Sequence, residues 1–286
     1  MKRAEKNSGP SELLPIGSLW IGSSLNWIAR LSLQSMLRAG HKVTLFHTGM
    51  LEDPNIDGLN VQHAKDIWDY PEPLLAQLAP APFSDIFRLH MIRDARMIWA
   101  DTDVLCVRPL IPQEGYLVGR EHGGWINNAV LMLPEDSATL NELLACFSDP
   151  TYVPAWLHKK SREKAMIAAE SERFVEASRL MPNALGPRAV SYMLPKNGED
   201  KHVRAAAALN PVPWSMADCY FNPNGGIEGW LTDETLALHL YMSRIRKIHL
   251  TVQPLQGSFI AEFANQVGFD LTSEDLRRNT VESTMN

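Results

Sequence analysis

The chain is 286 residues long, 45% apolar and 21% charged, with a formal net charge of −6. That length suits one large domain or two small ones, and it buries roughly three quarters of the unfolded chain's surface. The acidic balance argues against bulk nucleic-acid binding, and no apolar run approaches the ~18 residues of a membrane span, which leaves at most peripheral membrane contact.

The polar start "MKRAEKNSGPSELLPIG" lacks the apolar core of a signal peptide. Cys106, Cys146 and Cys219 lie far apart with no C-x-x-C pair, so neither a disulfide framework nor a zinc knuckle is indicated. A reducing, cytoplasmic setting fits these features.

In chain order, residues 1–15 read as a flexible leader. "SLWIG" is an apolar run ending in glycine and predicts a first strand. Trp27, Ile28, Leu31, Leu33, Met36 and Leu37 follow at helical spacing, with Gly40 placed as the stop. "KVTLFHTG" predicts a second strand, so the opening is a parallel α/β unit. "LEDPNIDGLNVQHAKDIWDY" reads as loop, with Val61 and Ile67 as its packed points. "FSDIFRLHMIRDA" has Phe83, Ile86, Phe87, Met91 and Ile92 on a helical period, with Ser84 as the expected cap. "RMIWA" predicts a strand that runs into Asp101, and "VLCVRPL" continues extended to Pro109.

"GYLVGRE" and "NNAVLMLP" predict two more strands and "SATLNELLACF" a helix. The charged stretch 151–182 is expected to be a helical insertion, either a lid or a surface helix pair. "HVRAAAALNPVPWS" reads as a strand entering a proline-rich loop, and "ALHLYMS" as a late strand. "SFIAEFANQVGF" and "TSEDLRR" read as terminal helices, and 279–286 as a frayed tail. The domain proper is expected over 16–278, as α/β with one mixed, Rossmann-like sheet flanked by helices.

The chemistry centres on "MIWADTDVL". In an extended segment residues i and i+2 face the same side, so Asp101 and Asp103 are expected to project together, roughly 6.6 Å apart along the strand. Ligands of open α/β sheets collect at the carboxyl ends of strands. Two carboxylates there suit a hard divalent cation, Mn2+ or Mg2+, that shares its oxygens with phosphate. Alone, Asp-x-Asp is as readily a solvated turn. Asp85 and Arg88 add to it: at i and i+3 they share one face of the preceding helix.

The block "FSDIFRLHMIRDARMIWADTDVLCVRPL" resembles the core of the DXD-motif glycosyltransferases of the family 32 type, related to the glucosylating domains of large clostridial toxins. The shared pattern is Ser-Asp-x-x-Arg, a helix, an apolar strand, then Asp-x-Asp, an apolar run and Pro-Leu. "LWIGSSLNWIARLSLQSMLRAGHKVTLFH", "NNAVLMLP", "LGPRAVSYML" and "LHLYMS" resemble further family segments in the same order, so the resemblance spans about residues 16 to 250. One departure is Ala95-Arg96, where many members have Gly-Gly; a changed turn, and with it a changed donor pocket, is expected there.

The resemblance implies a GT-A fold and a metal-dependent, retaining hexosyltransferase acting on a nucleotide sugar, a UDP-sugar first, and a saccharide or glycolipid acceptor. By motif match Asp103 binds the metal directly, and Asp101 reaches the ribose, the sugar or the metal through water. His239 completes the metal shell or lies beside it. Asp85 and Arg88 hold donor-sugar hydroxyls, and Trp20 stacks on the base. Ile21, Gly22, Thr102, Asn127 and Tyr241 are expected on the donor side, and Asn128 among the catalytic groups. The Gly186-Pro187 step falls near the acceptor, and Arg244, Arg246 and Lys247 either face the leaving diphosphate or form a solvated basic end. No residue declares itself a nucleophile, so same-face attack fits, with the leaving phosphate taking the acceptor's proton. The implied setting is the bacterial cytoplasm.

Two other readings compete. "MIWADTDVL" also fits the start of a haloacid-dehalogenase-like phosphatase, with Asp101 as nucleophile and Asp103 as acid/base, but the later acidic pair Glu199-Asp200 sits in a polar loop. A non-catalytic sugar-nucleotide-binding protein would show no donor turnover.

Overall fold

The computed structural model describes residues 12–181 and 183–273. The expected tail at 279–286, residues 1–11 of the expected leader, and the "TSEDLRR" helix beyond Ser273 lie outside the described residues. Of the leader, 12–15 is tied down: Pro15 O accepts from Ile98 N at 2.9 Å and Leu14 O pairs with His41 Nδ1 at 2.8 Å.

The opening unit forms as expected, with β1 (Ile16–Trp20), α1 (Trp27–Arg38) and β2 (Val43–His47). Asn26 caps α1 by accepting from Ala29 N at 2.9 Å. Gly40, at φ +94°, takes the left-handed turn after it. Strands β1 and β2 run parallel, Ile16 opposite Val43. The stretch read as loop contains an edge strand, β3 (Leu59–His63), parallel to β2. Val61, expected to be packed, is 40% exposed there. A short polar strand with one face in water carries too little apolar alternation to be read from sequence.

After α2 (Glu72–Gln77), helix α3 (Pro80–Ala95) is entered from Ala79, five residues before the expected cap Ser84. Pro80 and Pro82 sit in the first turn, where the missing N–H costs nothing. Ser84 is therefore inside the helix and caps nothing; its Oγ accepts from Arg88 Nη2 at 3.2 Å. Gly17 lets α3 lie close on β1, because a Cβ there would come 2.2 Å from the Met91 sulfur. Arg96 ends α3 at φ +53°, the left-handed position that Gly would occupy without strain. It stands at the amino end of the next strand, β4 (Ile98–Ala100), remote from the carboxylates at the other end, and its side chain returns to Ile92 O and Leu133 O, both 3.4 Å away. Arg96 thus holds a glycine-like backbone conformation, and it does not line the pocket described below.

Beyond β4 come β5 (Val104–Cys106), β6 (Leu117–Arg120), β7 (Ile126–Met132) and α4 (Ala138–Phe147). The main sheet has the order β3-β2-β1-β4-β7-β6, parallel through β4 and antiparallel at β4/β7 and β7/β6. The chain thus forms the expected mixed α/β sheet flanked by helices. It adds a separate two-stranded ribbon in which β5 pairs antiparallel with β8 (Ala237–His239). Two serines inside α1 serve this ribbon: Ser32 Oγ donates to Val104 O, and Ser35 Oγ accepts from Cys106 N at 2.9 Å.

The charged stretch forms a helix pair, α5 (Lys159–Ile167) and α6 (Arg173–Leu180), followed by α7 (Pro187–Lys196). "HVRAAAALNPVPWS" is not a strand. It makes one bridge, Arg204 to Gly119, and then the single-turn helix α8 (Ala206–Leu209), because four alanines favour helix over sheet. The late strand stops at His239: Tyr241 enters the left-handed region at φ +57° and α9 (Met242–His249) begins. Arg244, Arg246 and Lys247 therefore lie on a helix, all exposed. Helix α10 (Phe259–Val267), capped by Ser258, is followed by a 3-10 turn at Leu271–Ser273. One buried apolar cluster fills the main sheet and α3, α4 and α7. A second, with Trp27, Leu105, Tyr220, Leu238 and Phe263, lies under the ribbon and α10.

Candidate active site

A pocket of about 350 Å3 opens where several strand ends meet. The carboxyl end of β4 supplies Asp101, the adjacent start of antiparallel β7 supplies Asn127 and Asn128, Glu121 follows the end of β6, and β8 ends at His239, two residues before Tyr241. Helix α3 adds Asp85 and Arg88.

The two aspartates do not converge by strand pleat, as expected from their spacing. They flank a turn: Asp101 N donates to Ala129 O at 2.7 Å, and Val104 N returns to Asp101 O at 3.1 Å. The turn brings one ligand atom each of Asp101, Asp103 and His239 within 4.8 Å of one another.

Around Asp101 the contacts form one connected set. Trp99 Nε1 donates to Asp101 Oδ1 at 2.7 Å. Arg88 Nη2 stands 3.3 Å from the same oxygen and 3.1 Å from Asp85 Oδ1. Asn128 Nδ2 donates to Asp85 Oδ1 at 2.9 Å, while Arg88 Nη1 donates to Asn128 O at 2.5 Å. The Arg88 guanidinium lies 4.7 Å over the Trp99 ring. Asp85, Arg88 and Asn128 are all buried, so this is a desolvated charge network held by its own hydrogen bonds. Asp85 also explains the Gly186-Pro187 step: a Cβ at Gly186 would sit 2.5 Å from Asp85 Oδ1.

Asp103 is held from the other side. Met242 N, at the start of α9, donates to its Oδ2 at 2.6 Å, and His239 Nε2 is 3.5 Å from that oxygen. The Tyr241 ring packs 4.0 Å from the His239 ring. His239 Nδ1 and the Tyr241 hydroxyl are buried without a hydrogen-bond partner. Buried polar atoms are rarely left so, and both residues line the pocket.

The charges respond to this packing. Burial pushes Asp85 up to about 6 against the pull of Arg88 and the Asn128 amide. Burial also raises Asp101, opposed by Arg88 and reinforced by the charge of Asp103. Asp103 goes the other way: burial works against its charge, but His239 and the Met242 N–H outweigh it. His239 is raised, since Asp103 outweighs the burial that favours the neutral ring.

Of the expected residues, Asp85, Arg88, Asp101, Asn127, Asn128, His239 and Tyr241 come together around the pocket, and Asp103 lies against His239. Asn127 turns its amide to the Glu121 carboxylate. Trp20, Ile21, Gly22 and Thr102 do not line this pocket. Trp20 packs on the main core with its Nε1 buried and unpartnered. Arg244 is held by Asp218 at 2.9 Å. Glu121, Trp214 and Ser243 line the pocket and were not expected. Glu121 was findable as the acid just past the end of a strand; Trp214 lies in a proline-rich loop that gives no periodic signal.

No family model matches the sequence, and no curated protein matches it. Among solved structures, the chain is similar to PaToxG glycosyltransferase, with 15% identity, a TM-score of 0.43, and 64% of this chain and 67% of that one covered. It is similar to mouse xyloside xylosyltransferase 1 in its apo form, with 11% identity, a TM-score of 0.42, and 81% and 98% covered. A third is the WbbM bifunctional glycosyltransferase in its apo form, with 10% identity and a TM-score of 0.38; 98% of this chain matches 53% of that one.

The donor set suits a divalent cation: two carboxylates and an imidazole are ligands that Mn2+ accepts. Ligands about 2.1 Å from one ion stand roughly 3 to 4.2 Å apart, so a cluster within 4.8 Å needs adjustments of under about 1 Å to close around it. Trp99 and Arg88 both engage Oδ1 of Asp101, and its other oxygen takes no part in either contact.

Proposed function

We propose that this chain is a GT-A glycosyltransferase that moves a hexose from a nucleotide sugar, a UDP-sugar first, to a saccharide or glycolipid acceptor with retention of configuration. One observation carries the reading: a carboxylate–carboxylate–imidazole cluster that suits Mn2+ or Mg2+ is joined, through Arg88 and Asp101, to a buried Asp85–Arg88–Asn128 network at one pocket. Asp101, Asp103 and His239 hold the cation, which when bound neutralises charge on the leaving diphosphate. Asp85 accepts from one sugar hydroxyl and Arg88 donates to another in a fixed fork, which orients the sugar's reacting face. Asn128 fixes Asp85 by its amide and Arg88 by its carbonyl. Tyr241 and His239 keep a free donor each for the ligand. Trp20, the last residue of β1, remains the candidate base platform.

The phosphatase reading loses the first residue of its later acidic pair. Glu199 accepts from Ser137 Oγ at 2.9 Å and Ala138 N at 2.8 Å, and so caps α4. A non-catalytic binding protein separates from an enzyme by turnover.

The test is a screen of UDP- and GDP-sugars with Mn2+. One donor is expected to raise the melting temperature, by about 2.7 kcal/mol of stabilisation at one hundred times its Kd, and to be hydrolysed slowly. Turnover that persists in excess chelator contradicts the metal assignment, and no response to any donor contradicts the whole.

A further inference from the structure

All eight tryptophans of the chain lie in described residues, and only two, Trp125 at 46% and Trp214 at 48%, are more than a third exposed. One is part of the pocket wall and the other is on the loop beside it. Trp214 lines the pocket. Trp125 lies between lining residues Glu121 and Asn127, and Arg188, beside lining residue Pro187, covers its ring at 4.9 Å. The two loops that carry them touch, since His122 Nε2 meets Pro211 O at 2.5 Å.

The rings are also held in place. Arg244 lies 5.4 Å over Trp214 and is itself fixed by Asp218, which pairs with His249 at 3.2 Å. His249 in turn stacks on Phe221 at 3.7 Å. A half-exposed tryptophan forgoes part of the hydrophobic stabilisation of burial, and a ring held in advance by an arginine loses little entropy when a ligand arrives. A half-exposed indole ring with a guanidinium donor against it complements one kind of molecule closely. A sugar ring offers axial C–H groups to the face and equatorial hydroxyls to the donors.

We infer that the mouth of the pocket is a saccharide subsite, in which Trp214 and Trp125, each backed by an arginine, hold the sugar chain that receives the transferred hexose. Its role as acceptor site rests on the transferase reading; its ability to bind a saccharide does not.

The experiment applies the full chain to an array of short oligosaccharides (neutral hexose, N-acetylhexosamine and uronic-acid chains) beside an array of peptides. The wild type is expected to bind at least one saccharide class and no peptide. Trp214→Ala and Trp125→Ala should each weaken that binding at least about tenfold with an unchanged melting temperature. Trp214→Phe, which keeps an aromatic face, should retain most of it. The inference is overturned if no saccharide binds, if a peptide binds instead, if the alanine variants bind undiminished, if their loss comes with a lowered melting temperature, or if phenylalanine does no better than alanine. Nucleotide-sugar titration of the wild type separates the two claims. Donor binding without saccharide binding removes the subsite and leaves the transferase; saccharide binding without any donor does the reverse.

Discussion

The two ends of α3 carry similar residues and use them in opposite ways. Toward the pocket, Asp85 and Arg88 are buried charges whose partners come from β4 and β7. Toward the other end, His90 is buried as a neutral ring stacked on Trp68 at 4.5 Å, and Arg93 pairs with its neighbour Asp94 at 2.6 Å near the surface. At the first end a carboxylate is kept dry although burial opposes its charge. At the second, burial pushes His90 down to about 4, so the ring stays uncharged and acts as an aromatic. The lesson is that polar groups at the far end serve the fold, while those at the pocket end are held at a cost to it, as expected where a ligand supplies the missing partners.

The largest effect should come from breaking the pocket end. Arg88→Ala strips Asp85 and Asp101 of their shared cation and should cost about 3–5 kcal/mol of stability, measured by urea unfolding. Arg88→Lys and Asp85→Asn should fold, yet lower kcat for the cognate donor at least about tenfold with affinity for free nucleotide near wild type. If nucleotide affinity falls as far as turnover, the sugar-gripping role is wrong.

The contrast between the ends also has a pH signature. His90 titrates at about 4 in the fold against an ordinary 6.5, so the stability it lends is present above about 6.5 and is lost as pH falls toward 4. Asp85 titrates at about 6 against an ordinary 3.8, so its folded form keeps a proton that the unfolded chain has released; stability falls as pH rises from about 4 to about 6. Each shift is worth at most roughly 3 kcal/mol. Unfolding free energies of the wild type minus those of His90→Gln should therefore shrink on acidification, and those minus Asp85→Asn should shrink on moving to neutral pH. Two differences that move in the same direction with pH would erase the contrast.

A smaller change sharpens the pocket end alone. Gly186→Ala forces a Cβ against the Asp85 carboxylate and should cost about 1–3 kcal/mol in wild type, less in Asp85→Ala, where the clash is gone. An additive double mutant would mean that the close approach does not matter.

How much of this was legible beforehand follows from the physics of each element. Strands β1, β2, β4 and β7 and helices α1 and α4 announce themselves because buried faces impose an apolar pattern. Edge strand β3 does not, since half of it faces water, and α3 hides its start because two prolines look like a break. At the site, Asp85, Arg88, Asp101, Asp103 and His239 were read from one motif block and a late strand. The mechanism of their convergence was not, since a turn at Thr102 replaces the expected pleat. Glu121 could have been sought as the acid just past the end of β6, whereas Trp214 is brought in by tertiary packing, which leaves no local trace.

The central claim is that Asp101, Asp103 and His239 hold a divalent cation. The direct measurement is Mn2+ titration followed by electron paramagnetic resonance, in which bound ion loses the sharp signal of free aqueous Mn2+. The wild type should take up one equivalent. Asp103→Asn, which keeps the side chain's shape and its contact with Met242 N, should bind at least about tenfold more weakly with an unchanged melting temperature. Uptake that is absent in the wild type, or equal in both proteins, would contradict the account.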